Sequence, residues 1–469
     1  MIPYFPKQIA ERALIVYIAS LAVVSLLFFS YAMKWGYMVL GLTFVVGFFY
    51  LSFYCSKEWK GIPQKRYVEN IFLWAFFIRI VWVIASYFYY LETNGVPFEH
   101  GAADSIGYHD TAEWFTWMGM KKTLIHLFGP DTQVSLGDSG YPLYLFILYE
   151  IFGPNIIIPR FIKALLSAYT CVLIYRIGRC TFGEEVGRMA GIMSMLMPNL
   201  IIYCGYHLKE TEMIFLEVAF IERLDYLIRS RKTSFLNILV PSILALSLFL
   251  FRTVLGAAAV FSAVTAVLVS SAPSMKKNGK RLALIGWGVL CVLVASGGTI
   301  MTEVESYWEE RDENVTSKLY EQTLRGNQWA KYATGTVMAP MAFVLPFATM
   351  VDVDQQYGQQ EKSGGNFVRN FMGFFAFIAV FEALRRKKWR DFSLIGSFVI
   401  AYLGVVSLSG FSNSERFLLP GLPCLILMWA YGISSLRKQT YKFLTPWCFI
   451  VILMEFSWAF FKLGSRGLF

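Results

Sequence analysis

The chain has 469 residues, of which 56% are hydrophobic and 16% are charged, and its formal net charge is +10 at pH 7. A soluble domain carries about a quarter of its residues as charges, so this composition excludes an ordinary soluble protein. The basic surplus is concentrated in a few connections between apolar runs, as expected for a membrane topology signal, and we therefore expect no nucleic-acid partner.

Apolar runs long enough to cross a membrane recur along the chain. A hydrocarbon core of roughly 30 Å needs about 20 apolar residues in a helix. This pattern predicts thirteen crossings at 13–32, 36–55, 68–91, 160–179, 186–204, 211–228, 235–251, 254–271, 282–302, 366–384, 392–409, 418–435 and 443–462. The predicted fold class is therefore all-α, a polytopic transmembrane helical bundle with about 13 crossings.

The charges in the connections predict the orientation of the chain. Five alternate connections hold 19 basic residues and two acids, Glu58 and Asp391. The long connections 92–139 and 303–335 instead hold 14 acids and six bases. Because basic connections stay in the cytoplasm, the amino terminus is predicted to be cytoplasmic and both long connections to lie outside.

The outer connections contain segments that do not cross. Residues 103–122 can form an amphipathic helix on the membrane surface. Residues 141–152 and 338–351 are apolar but too short to cross, so we predict interfacial or re-entrant segments. Residues 352–365 are rich in Gln and Gly, which is typical of a mobile outer loop.

These features predict four regions. They are an N-terminal transmembrane hairpin with its basic cytoplasmic loop (1–67), a transmembrane module with outer loop 92–139 (68–303), an outer loop with a short apolar segment (304–365) and C-terminal transmembrane helices (366–469).

The densest group of ionisable residues beside the membrane is Asp104, Tyr108, His109, Asp110 and Glu113. The two aspartates are six positions apart and point in different directions on one helix, so a single carboxylate is the expected actor. Alternatively, these residues could simply form the solvent-exposed face of an interfacial helix. A metal site formed by His100, Asp104, His109 and Asp110 is a further alternative, but the spacing matches no specific metal pattern. We expect no obligatory metal or other cofactor.

Further polar residues on the predicted outer side are candidates for substrate binding: Arg160, His207, Lys209, Glu210, Arg252 and Arg416. Arg252 interrupts more than thirty nearly uncharged residues, and a cation in a tight turn at headgroup depth is well placed to hold a phosphate. Each of these residues could instead cap a helix or reach toward lipid headgroups. Arg79 lies too deep for such a role, so we predict a structural partner for it inside the bundle.

The order of several motifs resembles bacterial GT-C glycosyltransferases of the protein O-mannosyltransferase and aminoarabinose-transferase type. The resemblance covers residues 68–435 and is carried by Arg79, Asp104 with Tyr108 and Ala112, Gly140-Tyr141-Pro142, Gly153 and Arg160, Tyr175 to Arg179 with Phe182-Gly183, Pro198, His207 to Glu210, and Glu415 to Pro420.

This resemblance implies an enzyme that uses a polyprenyl-phosphate-linked sugar and modifies a protein, lipid or glycan acceptor. It implies a GT-C bundle in contact with membrane lipids, multi-pass in the bacterial inner membrane, with Asp104 as the catalytic base. The family often has an acidic residue directly after that aspartate, whereas this chain has Ser105.

The implied chemistry needs few groups. One carboxylate can deprotonate the acceptor hydroxyl, and Arg or Lys side chains can stabilise the leaving phosphate. Attack from the opposite face of the sugar would give inversion without a second nearby carboxylate. The alternatives are a flippase or transporter of lipid-linked sugars, which would not need the base, and a polymerase or ligase of surface polysaccharide.

Overall fold

The computed structural model describes residues 4–129, 132, 134–230, 234–269, 286–288, 340–353, 357–387, 389–408 and 414–464. The predicted outer loop 303–335 lies outside the described residues. So does the predicted crossing 282–302, apart from residues 286–288.

The described residues form helices that we number in chain order. The first group is α1 (Lys7–Leu27), α2 (Trp35–Glu58), α3 (Gln64–Asn94), α4 (Ala103–Met118), α5 (Met120–Phe128), α6 (Leu136–Phe152), α7 (Ile157–Phe182) and α8 (Glu184–Leu196). The second group is α9 (Pro198–Gly205), α10 (Glu210–Arg229), α11 (Phe235–Phe251), α12 (Thr253–Val269), α13 (Tyr357–Glu361), α14 (Ser363–Arg385), α15 (Ser393–Leu408), α16 (Glu415–Ser434) and α17 (Lys438–Gly464). This architecture confirms the predicted all-α polytopic bundle.

Within the described ranges, seven helices are long and apolar enough to cross a membrane, namely α1, α2, α3, α7, α14, α16 and α17. The pair α8 and α9 would make an eighth span, although it is bent by 53°. Helices α11, α12 and α15 are apolar but shorter. The multi-pass character is thus confirmed, and the number of thirteen crossings stays a prediction.

Several predicted elements differ in detail. The single surface helix over 103–122 is wrong, because Gly119 takes a left-handed φ of 77° and separates α4 from α5. The predicted crossing 186–204 is broken before Pro198, whose ring cannot continue the hydrogen-bond ladder. The short helix predicted over 141–152 begins earlier, at Leu136. Of the predicted mobile loop 352–365, the described residues from 357 onward form α13 and the start of α14.

Arg79 stabilises the break between α8 and α9. Its side chain is fully buried and donates to the carbonyl oxygens of Ser194 and Met195, both at 3.2 Å. These carbonyls belong to the last turn of α8, where the carbonyl oxygens have no N–H donors within the helix and the helix dipole favours a cation. Arg79 Nε also donates to Ser167 Oγ of α7 at 2.7 Å. The prediction of a structural partner inside the bundle is confirmed.

The N-terminal hairpin packs against the C-terminal part of the chain, with α1 against α17 and α2 against α14. Close approach depends on small residues, since a Cβ added to Gly364 would lie 2.7 Å from the carbonyl oxygen of Gly41. The connection after α1 also meets the segment before α13, where Asp352 N donates to Tyr31 O at 2.8 Å. The N-terminal hairpin and the C-terminal helices therefore pack together on one side of the bundle.

Candidate active site

Four charged side chains meet at the predicted outer end of the bundle. Asp104 lies in the first turn of α4, Glu210 begins α10, Arg252 lies between α11 and α12, and Arg416 lies in the first turn of α16. We call these four residues the ionic cluster. Four elements far apart in the sequence therefore contribute one side chain each.

Arg416 is the centre of the ionic cluster. Its Nη1 atom donates to Asp104 Oδ2, and its Nε atom donates to Glu210 Oε1. Arg252 Nη2 lies 3.6 Å from the same Glu210 oxygen. The Asp104 side chain is 61% exposed, whereas Glu210 is fully buried. The cluster thus has a buried carboxylate between two cations and an exposed carboxylate at its edge.

The charges of the ionic cluster hold Glu210 ionised. Burial alone would raise the pKa of Glu210, but the guanidinium groups of Arg416 and Arg252 outweigh burial and leave the pKa below its ordinary value. A carboxylate without these partners would be strongly disfavoured at such a buried position. Glu210 therefore positions both arginines.

Arg252 is held on its other side by an aromatic wall. Its Nη1 atom donates to Tyr402 Oη at 3.3 Å, and its guanidinium lies 4.5 Å from the centroid of the Phe417 ring. Tyr402 Oη in turn donates to the carbonyl oxygen of Phe417 at 2.9 Å. The planar group is thus fixed by stacking and hydrogen bonding, which suits Arg better than Lys.

A cavity of about 500 Å³ opens beside the ionic cluster, and we call it the outer cavity. Asp104 and Arg416 line it together with Glu99, Lys362, Asn366 and Glu415. The volume lies in the range of small-molecule sites. Glu210 and Arg252 lie behind this lining, so the exposed end of the cluster is the part that a substrate would meet first.

Lys209 and Tyr108 form a neighbouring contact. Lys209 Nζ donates to Asp138 Oδ1 at 2.5 Å and to the carbonyl oxygen of Gly137 at 3.1 Å, and it lies 6.0 Å from the Tyr108 ring centroid. Burial lowers the pKa of Lys209 despite the nearby Asp138 carboxylate. Burial raises the pKa of Tyr108 to about 12. In this structure Lys209 therefore ties α10 to the start of α6.

The predicted histidines belong to a different group. His109 Nδ1 lies 2.7 Å from Tyr149 Oη, and that hydroxyl lies 3.3 Å from His207 Nε2. Burial, together with nearby cations, lowers the pKa of His207 well below its ordinary value, so this imidazole is neutral. Arg160 is fully buried and its Nη2 atom donates to Pro97 O at 2.6 Å. Asp110 is exposed and has no ion-pair partner within the described ranges.

All ten residues selected from the sequence are described, and the structure brings four of them into direct contact. Lys209 and Tyr108 lie beside that group, whereas Arg160, His109 and His207 are held by other contacts and Asp110 faces outward. Their roles in binding stay predictions.

Sequence reasoning missed two residues that line the outer cavity, Glu99 and Lys362. Ser105 donates to Glu99, which is 8% exposed, so a carboxylate stands against the serine that follows Asp104. The departure at Ser105 was the one signal for this carboxylate. Lys362 forms an ion pair with Glu415 at 3.3 Å, and nothing in the local sequence marked Lys362. Among the described residues, no group of three or more His, Cys, Asp or Glu side chains could hold one metal ion.

Residues 116–465 match the Alg9-like mannosyltransferase family. The chain belongs to this family. Membership in this family confirms the resemblance to glycosyltransferases that the sequence motifs indicated. The matched region contains Lys209, Glu210, Arg252 and Arg416, whereas Asp104 and Tyr108 precede it. No curated protein matches this family member by sequence.

Solved structures similar to this Alg9-like chain include oligosaccharyltransferases from Archaeoglobus fulgidus. A complex with zinc and sulfate has 12% identity and a TM-score of 0.43, with 84% of this chain and 52% of that chain covered. A complex with an inhibitory peptide and a dolichol-phosphate has 12% identity and a TM-score of 0.45, with 86% and 56% covered. The chain thus spans just over half the length of these structures.

Proposed function

We propose that this protein transfers a sugar from a polyprenyl-phosphate carrier to an acceptor hydroxyl at the outer face of a bacterial inner membrane. The observation that carries the proposal is the contact of Arg416 with both Asp104 and Glu210 at the edge of the outer cavity. It combines an exposed carboxylate, which can accept a proton, with cations that can hold a phosphate. Family membership favours glycosyl transfer over transport.

Each step has a group to perform it. Asp104 accepts the proton of the acceptor hydroxyl, and the hydroxyl oxygen attacks the anomeric carbon. The bond from that carbon to the phosphate oxygen breaks, and the polyprenyl phosphate leaves with its charge stabilised by Arg416 and Arg252. Attack opposite to the leaving group inverts the anomeric configuration. The family description makes mannose the first sugar to test.

The outer location rests on the distribution of charge. The end of α2, the start of α3 and the connection between them are basic, with Lys57, Lys60, Lys65 and Arg66, whereas α4 and its flanks are acidic. This asymmetry supports a cytoplasmic amino terminus. A membrane-impermeant thiol reagent applied to intact cells or spheroplasts should label Gly107→Cys above the wild-type background but not Lys65→Cys. The reverse labelling would contradict the proposed orientation.

The catalytic proposal is tested with the purified chain in proteoliposomes. Labelled polyprenyl-phosphate-mannose is supplied with a membrane extract as the source of acceptor, and both transfer and released polyprenyl phosphate are measured. Asp104→Asn should reduce transfer by at least a hundredfold, because removal of a general base typically costs about 10²–10⁴-fold. Donor binding should remain near the wild-type value. Glu113→Gln, on the same helix, is the matched control, and wild-type turnover by Asp104→Asn would overturn the role of this residue.

A further inference from the structure

A second cavity lies between α2, α3 and α13, and we call it the lateral cavity. Its volume is about 630 Å³, larger than that of the outer cavity. One face of α3 forms its longest wall, through Trp82, Ser86, Tyr89 and Thr93. These residues recur at helical spacing, so they share one side of the helix. Residues of α2 and α3 lie outside the part of the chain that matches the family.

The lateral cavity lies at the ends of two membrane-spanning helices. Lys34 directly precedes α2, and Thr93 is the residue before the last one of α3. Both helices are long and apolar enough to cross. Trp35, at the rim, is 80% exposed, as is typical of aromatic side chains at the membrane interface. Components of the bilayer therefore have direct access to the cavity at headgroup depth.

The chemistry of the lateral cavity changes along its length. Its part beside Leu40 and Trp82 is apolar and aromatic, and the Trp82 ring also packs against Phe44 at 5.5 Å between centroids. Tyr37 Oη lies 3.2 Å from Tyr89 Oη and links α2 to α3. At the upper end, Lys34 Nζ lies 4.1 Å from the Tyr357 ring centroid. An amphiphile with an anionic head matches this order of surfaces.

Two other ionisable groups of the lateral cavity, His100 and Glu361, are also compatible with a bound anion. Burial and the neighbouring Lys34 lower the pKa of His100, so the imidazole is neutral and can donate one hydrogen bond. Glu361 is buried and accepts from Tyr90 Oη at 2.5 Å and Tyr206 Oη at 3.2 Å. Burial raises the pKa of this carboxyl to about 7, which weakens its repulsion of an anion.

We propose that the lateral cavity binds one anionic membrane lipid, with its chain between α2 and α3 and its phosphate at Lys34 and His100. This inference does not depend on the proposed catalytic reaction. The bound lipid would contact α13 through Tyr357 and Glu361, and the next residue, Lys362, lines the outer cavity. Lipid bound here would therefore stabilise α13, the short helix that separates the two cavities.

Native mass spectrometry of the full chain tests the proposal. The protein is reconstituted in vesicles of phosphatidylcholine, alone or mixed with phosphatidylglycerol, and extracted gently before measurement. We expect one phosphatidylglycerol to be retained in preference to phosphatidylcholine. Lys34→Gln should weaken this retention by about tenfold or more, as expected for loss of a charge-assisted contact. The matched control is Lys60→Gln, because Lys60 also lies over an aromatic ring, that of Tyr4, at 5.0 Å.

A variant that fills the lateral cavity tests the proposal without changing any charge. A Cβ added to Gly36 or to Gly47 would meet no atom within 4 Å, and both glycines lie on α2. Gly36→Trp should abolish retention because it occupies the lateral cavity, whereas Gly47→Trp should not. Thermal melting in detergent confirms that each variant is folded.

Three results would overturn the proposal. They are equal retention of both lipids by the wild type, retention that Lys34→Gln and Gly36→Trp leave unchanged, and release of phosphatidylglycerol by millimolar inorganic phosphate. The last result would identify a site for free phosphate instead of a lipid.

Discussion

Arg416 donates a hydrogen bond to Asp104 although the two residues are 312 positions apart in the sequence. The carboxylate assigned as the base is therefore engaged by a cation in this structure. Two neighbouring cations are also paired with carboxylates, since Arg252 lies by Glu210 and Lys362 by Glu415. A donor phosphate would compete with Asp104 for Arg416, and the competition would free the carboxylate to accept a proton.

This competition predicts the effect of Arg416→Lys. The ammonium group cannot contact Asp104 and Glu210 in the two directions that a guanidinium allows. We expect transfer to fall at least tenfold and the carrier Kd to rise, both measured in proteoliposomes. Arg437→Lys is the control, because Arg437 is 45% exposed and lies on a predicted cytoplasmic connection. Unchanged kinetics in Arg416→Lys would show that the phosphate is held elsewhere.

Arg252→Ala should weaken binding of the carrier. Loss of a hydrogen bond to a charged group costs about 1.5–3 kcal/mol, which corresponds to a ten- to hundredfold rise in Kd. Binding of labelled polyprenyl phosphate to the purified chain measures this value. Arg223→Ala serves as the comparison, since Arg223 is 43% exposed and pairs with its neighbour Glu222. Equal affinities of the two variants would remove Arg252 from the phosphate site.

Arg79→Met should destabilise the bundle without any direct effect on chemistry. The change leaves the carbonyl oxygens of Ser194 and Met195 without their donor, and each unsatisfied buried group costs about 1–3 kcal/mol. We expect a clearly lower melting temperature in detergent. Arg66→Met, at the exposed start of the same helix, should melt like the wild type. A wild-type melting temperature for Arg79→Met would mean that the break in α8–α9 does not need this side chain.

Glu361 should make stability depend on pH. Burial raises the pKa of this carboxyl from 4.5 to about 7, so the folded chain binds a proton that the unfolded chain has released. The free energy of unfolding should therefore fall as pH rises from 4.5 to 7, by at most about 1.4 kcal/mol per pH unit, and then level off. Melting curves across this range should show a smaller slope for Glu361→Gln than for the wild type or for the exposed-site control Glu92→Gln. Parallel slopes in all three proteins would contradict the assignment.

The sequence by itself determined the features that follow from local composition. Apolar length predicted the helical membrane bundle, because the bilayer imposes a fixed span on each crossing. Motif order identified the glycosyltransferase resemblance that family membership confirms. The depth of Arg79 also indicated a structural role, since a cation inside a bundle must find partners there.

Only the tertiary structure decided which polar residues meet. Asp104, Glu210, Arg252 and Arg416 begin or precede different helices, and their contact depends on how those helices pack. Asp110 differs from Asp104 by less than two helical turns, yet it faces outward. No local signal marks Lys362, and Glu99 was indicated only indirectly by Ser105, because the position of a side chain in a cavity depends on how the surrounding helices pack. Periodicity describes which face a residue occupies, and packing determines what that face touches.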